Sequence, residues 1–184
     1  MNYFLAQALN NQWANRRLLR ACAGLSEAEY IADRTGFFPS IQRTLSHILD
    51  VDLYYLAALE EDLQAQTSEP APALGFAELV AGQAASDQRL VTFCEALRVE
   101  DLSREVGLLR PVGLLHERID RVLLHLFEHQ IHHRGQVHAM LSGTPIKPPQ
   151  LDEFFLDQDR EAREPEASAL GVDEPRVWRR YVGR

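Results

Sequence analysis

The stretch His125-Leu126-Phe127-Glu128-His129-Gln130-Ile131-His132-His133-Arg134-Gly135-Gln136 places four of the chain's seven histidines within nine residues. It lies inside a longer segment, about residues 115–142, where Leu115, Ile119, Val122, Leu126, Val137 and Met140 recur at helical spacing. Each step along an α-helix turns by about 100°, so with His129 at the origin these apolar residues fall between roughly 20° and 80°. His133 lies inside that stripe, at about 40°, and His129 lies at its edge. His125 and His132 fall further round, at about −40° and −60°, and His138 is on the opposite face. His116, in the first turn, is expected to be exposed. Two histidines, one turn apart, therefore face whatever covers the stripe.

Three more amphipathic segments precede this one. Residues 2–22 carry Phe4, Leu5, Ala8, Leu9, Trp13, Leu18 and Leu19 and stop near Gly24. Ser26-Glu27-Ala28-Glu29 has the form of an N-cap with an acidic first turn, opening a short helical piece. Residues 40–63, after Gly36-Phe37-Phe38-Pro39, place Ile41, Leu45, Ile48, Leu49, Tyr55, Leu56 and Leu59 on one face. A loop over 66–75 leads to a third long helix, 76–97, carrying Leu79, Val80, Leu90, Phe93 and Leu97. Residues 100–114, with Pro111 and Gly113, read as a connection, extended in part. The last long helix ends at Ser142-Gly143-Thr144-Pro145. The pattern predicts an all-α protein: a four-helix bundle over residues 1–145, then a C-terminal extension, 146–184, either packed on the bundle or partly mobile.

The composition, 46% apolar and 25% charged, is that of an ordinary globular chain with enough length for one substantial core. A net charge of −8 argues against nucleic-acid binding through a broad basic surface, although Arg176, Arg179, Arg180 and Arg184 cluster near the end. Cys22 and Cys94 make neither a disulfide framework nor a cysteine zinc site and are read as small buried residues. With no signal-peptide pattern and no apolar run of membrane-spanning length, the expected location is cytoplasmic.

Buried imidazoles need partners. A single one is most often a hydrogen-bonded core histidine, but an i, i+4 pair on an inward face can converge on one ion. His47, the sole histidine outside residues 116–138, lies at the flank of the second long helix's apolar arc and can complete a three-imidazole set with His129 and His133. Such a set suits a borderline divalent ion, zinc or nickel ahead of iron or manganese, with positions left for water or substrate. The zincin pattern is excluded because Gln130 stands where His-Glu-x-x-His needs its glutamate, and no paired Glu-x-x-His motif suggests a di-iron bundle. Asp52 falls in the middle of an apolar arc and is expected to be a buried latch to Trp13, Asn15, Arg16 or Arg17 of the first helix. Gly135 is expected to mark close approach of a neighbouring helix. Gln136 turns back toward His129 and is a candidate cofactor-binding or ligand-supporting residue.

Three segments resemble the DinB family: Asn11-Gln12-Trp13-Ala14-Asn15, Ser40-Ile41-Gln42-Arg43-Thr44-Leu45-Ser46-His47-Ile48-Leu49-Asp50-Val51-Asp52, and His129-Gln130-Ile131-His132-His133-Arg134-Gly135-Gln136. The resemblance implies an up-down-down-up four-helix bundle. It also implies a divalent metal on three histidines, which match His47, His129 and His133, and a recurrent aspartate at Asp52. Relatives in the wider superfamily include S-transferases and isomerases that use bacillithiol, mycothiol or glutathione. The expected function is accordingly a metal-dependent enzyme acting on a small molecule, a low-molecular-weight-thiol S-transferase. The alternatives are a non-catalytic metal-binding stress-response protein and a helical interaction module whose histidines are only core. A homodimer is expected, with no nucleic-acid or membrane partner.

Overall fold

Side-chain capping sets where the first three helices begin. The computed structural model describes residues 1–67 and 72–183. Helix α1 (Tyr3–Cys22) opens on Asn2, whose side chain accepts from Leu5 N at 3.0 Å. The short α2 (Glu27–Ile31) has a capping box in which Ser26 and Glu29 satisfy each other's backbone N–H groups. Ser40 caps α3 (Ile41–Leu59) by accepting from Arg43 N. Helices α4 (Phe76–Ala96) and α5 (Ile119–Leu141) complete the long set. Of the loop expected over 66–75, residues 68–71 lie outside the described residues, as does Arg184 of the arginine cluster.

Helix α1 packs on α4 and α5, and α3 packs on the same two. Along α3 and α4 the contacts climb in step: Gln42 with Leu74, Leu49 with Gly82, Asp52 with Gln83, Glu60 with Arg89. Gly82 permits this approach, since a Cβ there would stand 2.8 Å from Leu49 Cδ2. Along α3 and α5 the order is opposed, with Thr44 against Met140 and Tyr55 against His125. It is opposed again along α1 and α4, where Asn15 meets Asp87 and Asn2 meets Cys94.

The structure is mostly helical but departs from an all-α protein in one place. Strands β1 (Glu105–Arg110) and β2 (Gly113–Arg118) form an antiparallel hairpin with Arg110 opposite Gly113. Pro111 and Val112 make the turn, and Gly113 takes φ 118°, a conformation costly for other residues. Val106 and Leu108 alternate into the core. The last long helix therefore starts at Ile119, and Leu115, assigned above to the core stripe, is 48% exposed on β2. Leu115, Ile119 and Val122 continue a helical spacing by coincidence, while the turn commits the chain to strand first. His116 is exposed, on β2 and not in a helical turn. Val80, among the apolar residues of the third long segment, faces out.

The core has two apolar clusters. One gathers Leu5, Leu9, Leu56, Leu59, Leu90, Val91, Leu123 and Leu126 with the hairpin's Val106 and Leu108. Phe155, Ala167, Val172 and Val177 join it from the segment after residue 145, which includes α6 (Arg160–Ser168) and α7 (Glu174–Val177). That segment is also tied to α1 by Asn10 Nδ2 donating to Glu153 O, and by an Arg17–Glu166 ion pair. The other cluster holds Leu18, Leu19, Ile41, Leu45, Ile48, Leu49, Leu79, Val137 and Met140. Among the described residues no helix is long and apolar enough to cross a membrane.

Candidate metal centre

His47 on α3 and His129 and His133 on α5 converge, each offering a ring nitrogen within 4.8 Å of the other two. His47 Nε2 and His129 Nε2 are 3.0 Å apart, about the spacing of two nitrogens sharing one ion at ~2.1 Å each. His133 Nδ1 faces Gln136 Oε1 at 2.8 Å, an arrangement that favours the proton on Nδ1 and a free lone pair on Nε2. Gln136 Nε2 lies 3.0 Å from His132 Nε2, so the amide bridges one site histidine to one exposed histidine. His129 Nδ1 is buried with no hydrogen-bond partner.

All three rings favour the neutral form. Burial, followed by His133, pulls His47 down to about 4. Burial, followed by His133 and His47, pulls His129 down to about 3. Burial also lowers His133, against the Gln136 hydrogen bond that raises it. Neutral imidazoles present the lone pairs a divalent ion requires, so the donor set fits such an ion. His125 and His132 are exposed, and His138 points away with Nε2 2.9 Å from Pro149 O. The sorting by helical face holds for each.

Aromatic residues wall the site on both sides. Phe38, from the turn before α3, stacks 4.4 Å from His47 and 5.7 Å from His133, and Phe37 beside it is 77% exposed. On the other side a groove of about 380 Å³ runs from His47 and His129 past Asp50, Tyr54 and Tyr55 to Arg110 of the hairpin. Sequence reasoning singled out neither wall, although the Phe37-Phe38 and Tyr54-Tyr55 doublets were visible signals.

One residue further along α5 is a second polar cluster, fully buried. Arg134 Nη1 donates to Asn11 Oδ1, to Asn15 Oδ1 at 3.0 Å and to Gln130 Oε1 at 3.2 Å. Asn15 Nδ2 donates to Asp87 Oδ1 at 2.8 Å, and Gln83 Nε2 joins Asp87 at 3.1 Å to Asp52 Oδ2 at 2.7 Å. Asp52 is buried as expected, but its direct partner is Gln83 of α4, not a residue of α1. Arg16 and Arg17 point instead to the backbone of Ala169 and Gln150. Burial, with the charge of Asp87, pushes Asp52 up to about 8, and burial pushes Asp87 up to about 7. Burial pulls Arg134 down to about 10 against the pull of both carboxyls. Gln130 Nε2 and Asp52 Oδ1 have no partner at hydrogen-bonding distance, although Gln130 is near enough to lower Asp52.

Gly135 does not mark a helix contact: a Cβ there would meet nothing within 4 Å, and the residue lines an open groove with Ile131 and Phe154. Cys22 and Cys94 are buried, which raises both thiols and removes them as nucleophiles at neutral pH.

A helical protein with three imidazoles gathered from two helices is a candidate metalloprotein. Its sequence matches the DinB family model over residues 1–166, and the chain belongs to that family. It is similar to Protein DinB of Bacillus subtilis (strain 168), 27% identical over 143 residues that cover 71% of this chain and 80% of the relative.

Proposed function

We propose that the protein is a metal-dependent enzyme of the DinB family, acting on a small molecule as a low-molecular-weight-thiol S-transferase. The observation that carries this reading is the open side of the triad: three neutral imidazoles converge, and a groove reaches two of them. Among the described residues no fourth histidine, cysteine or carboxylate completes the cluster, as a purely structural site usually requires. A bound divalent ion, zinc or nickel before iron or manganese, would supply Lewis acidity that holds a thiol sulfur as the nucleophilic thiolate. His47, His129 and His133 would hold the ion, Gln136 would orient His133, and Phe37 and Phe38 would exclude water from one side. The same reading takes the long helices as an up-down-down-up bundle, which the in-step contacts of α3 with α4 and the opposed contacts elsewhere support.

Protein purified without an affinity tag should bind close to one zinc or nickel ion per chain. The loaded protein should accelerate conjugation of bacillithiol, mycothiol or glutathione to an electrophile, and His133→Ala should abolish both properties. Ion binding without turnover across the three thiols would leave a non-catalytic metal-binding stress protein. Absence of ion binding would overturn both readings.

A further inference from the structure

The far end of the groove is built with more care than a solvent-facing hairpin tip needs. Tyr54 OH donates to Leu109 O at 2.9 Å, fixing the strand to α3. Gln66 acts as a short extra strand, its Nε2 donating to Gly107 O at 2.9 Å and its Oε1 accepting from Leu109 N at 2.8 Å. The next residue, Arg110, donates to Tyr55 OH at 2.8 Å, with its guanidinium 5.2 Å and 5.7 Å from the rings of Tyr54 and Tyr55. Among the described residues Arg110 makes no ion pair, whereas Arg89, Arg98, Arg104, Arg118 and Arg121 each meet a carboxylate. Its charge is held in place and left unneutralised at the rim of the groove that ends on His47 and His129.

We propose that Arg110 recognises a carboxylate of the substrate, about 10 Å from the atom that reacts at the histidines. The spacing follows from α3: His47 and Tyr54 both line the groove and are seven residues apart, at about 1.5 Å of rise each. A guanidinium fork suits a carboxylate bidentately, and its clamp by two tyrosines lowers the ordering cost of binding. This inference rests on the triad being the reacting end.

The test is a calorimetric titration of cobalt-loaded protein with ω-mercaptooctanoate, which spans that distance, and with its uncharged amide. The acid should bind about tenfold tighter than the amide, the worth of one charge-assisted hydrogen-bonding pair. Arg110→Gln should erase the preference and Arg110→Lys should retain part of it. Mercaptopropionate, too short to span the groove, should be indifferent to both substitutions. Arg110 is exposed, so an unchanged thermal midpoint is expected and certifies the variants. Equal affinity for acid and amide, or a preference that survives Arg110→Gln, overturns the inference. The cobalt absorption band reports separately on the histidines. Its absence alongside an acid preference lost in Arg110→Gln would uphold the carboxylate site and remove the metal reading.

Discussion

Helix α5 carries two polar pairs offset by a single residue, and they meet opposite fates. His129 and His133 turn toward α3 and a groove, where their nitrogens converge on a point that no side chain of the cluster fills. Gln130 and Arg134 turn inward, where Asn11, Asn15, Gln83, Asp52 and Asp87 close around them. Every long helix contributes to this inner layer, and it separates the two apolar clusters. The contrast teaches how one helix can serve two surroundings: a 100° step takes a side chain from a groove into a layer closed by the protein itself. The outer pair opens onto a groove, and the inner pair ties the four long helices together.

The sharpest way to break the comparison is Arg134→Met. It leaves the side-chain oxygens of Asn11, Asn15 and Gln130 buried without their donor and should cost about 3–5 kcal/mol in urea denaturation, at about 1–3 kcal/mol for each orphaned group. His133→Ala, on the other face of the same turn, should leave the unfolding midpoint of metal-free protein nearly unchanged while lowering zinc affinity more than a hundredfold, measured by competition with a chelator. Gln136→Ala, which removes the partner of His133 Nδ1, should lower that affinity by about 10–100-fold.

The two regions should also answer pH with opposite signs. The histidines titrate lower in the folded chain than unfolded, so their contribution to stability rises with pH from about 3 to 6.5 and is then constant. Asp52 and Asp87 titrate higher in the folded chain, so theirs is present below about 4 and lost as pH rises toward 7 and 8. Metal-free protein should therefore lose stability between pH 6.5 and 8, and Asp52→Asn should flatten that decline in a thermal-melt series. The smallest effect belongs to Gly135→Ala. With nothing near the added methyl and a helical setting, it should raise stability by up to about 1 kcal/mol without altering metal affinity.

The convergence of the three histidines was legible because helical period and residue chemistry coincide. Histidine is distinctive, and sorting positions by face left His129 and His133 inward with His47 the remaining candidate. The inner layer was legible only in part. Asp52 stood out against its apolar neighbours, but its partner Gln83, which bridges it to Asp87, sits on a third long helix, where an amide and a carboxylate look like any solvated face. Register between helices decides such pairs, and one chain's periodicity does not contain it. The hairpin was hidden for a different reason: β2 carries Leu114 and Leu115 outward, so the alternation that marks a half-buried strand exists only in β1.

The inner layer has a kinetic consequence. Its hydrogen bonds need residues of all four long helices in place together, and α3 reaches its in-step partner α4 only after a long crossover. The hairpin, with a two-residue turn, is a local event of microseconds. The layer is therefore expected to close late, so that Arg134→Met should speed unfolding more than it slows folding, as read from the two arms of a denaturant chevron. Arg134 is in this sense a bolt on the exit side.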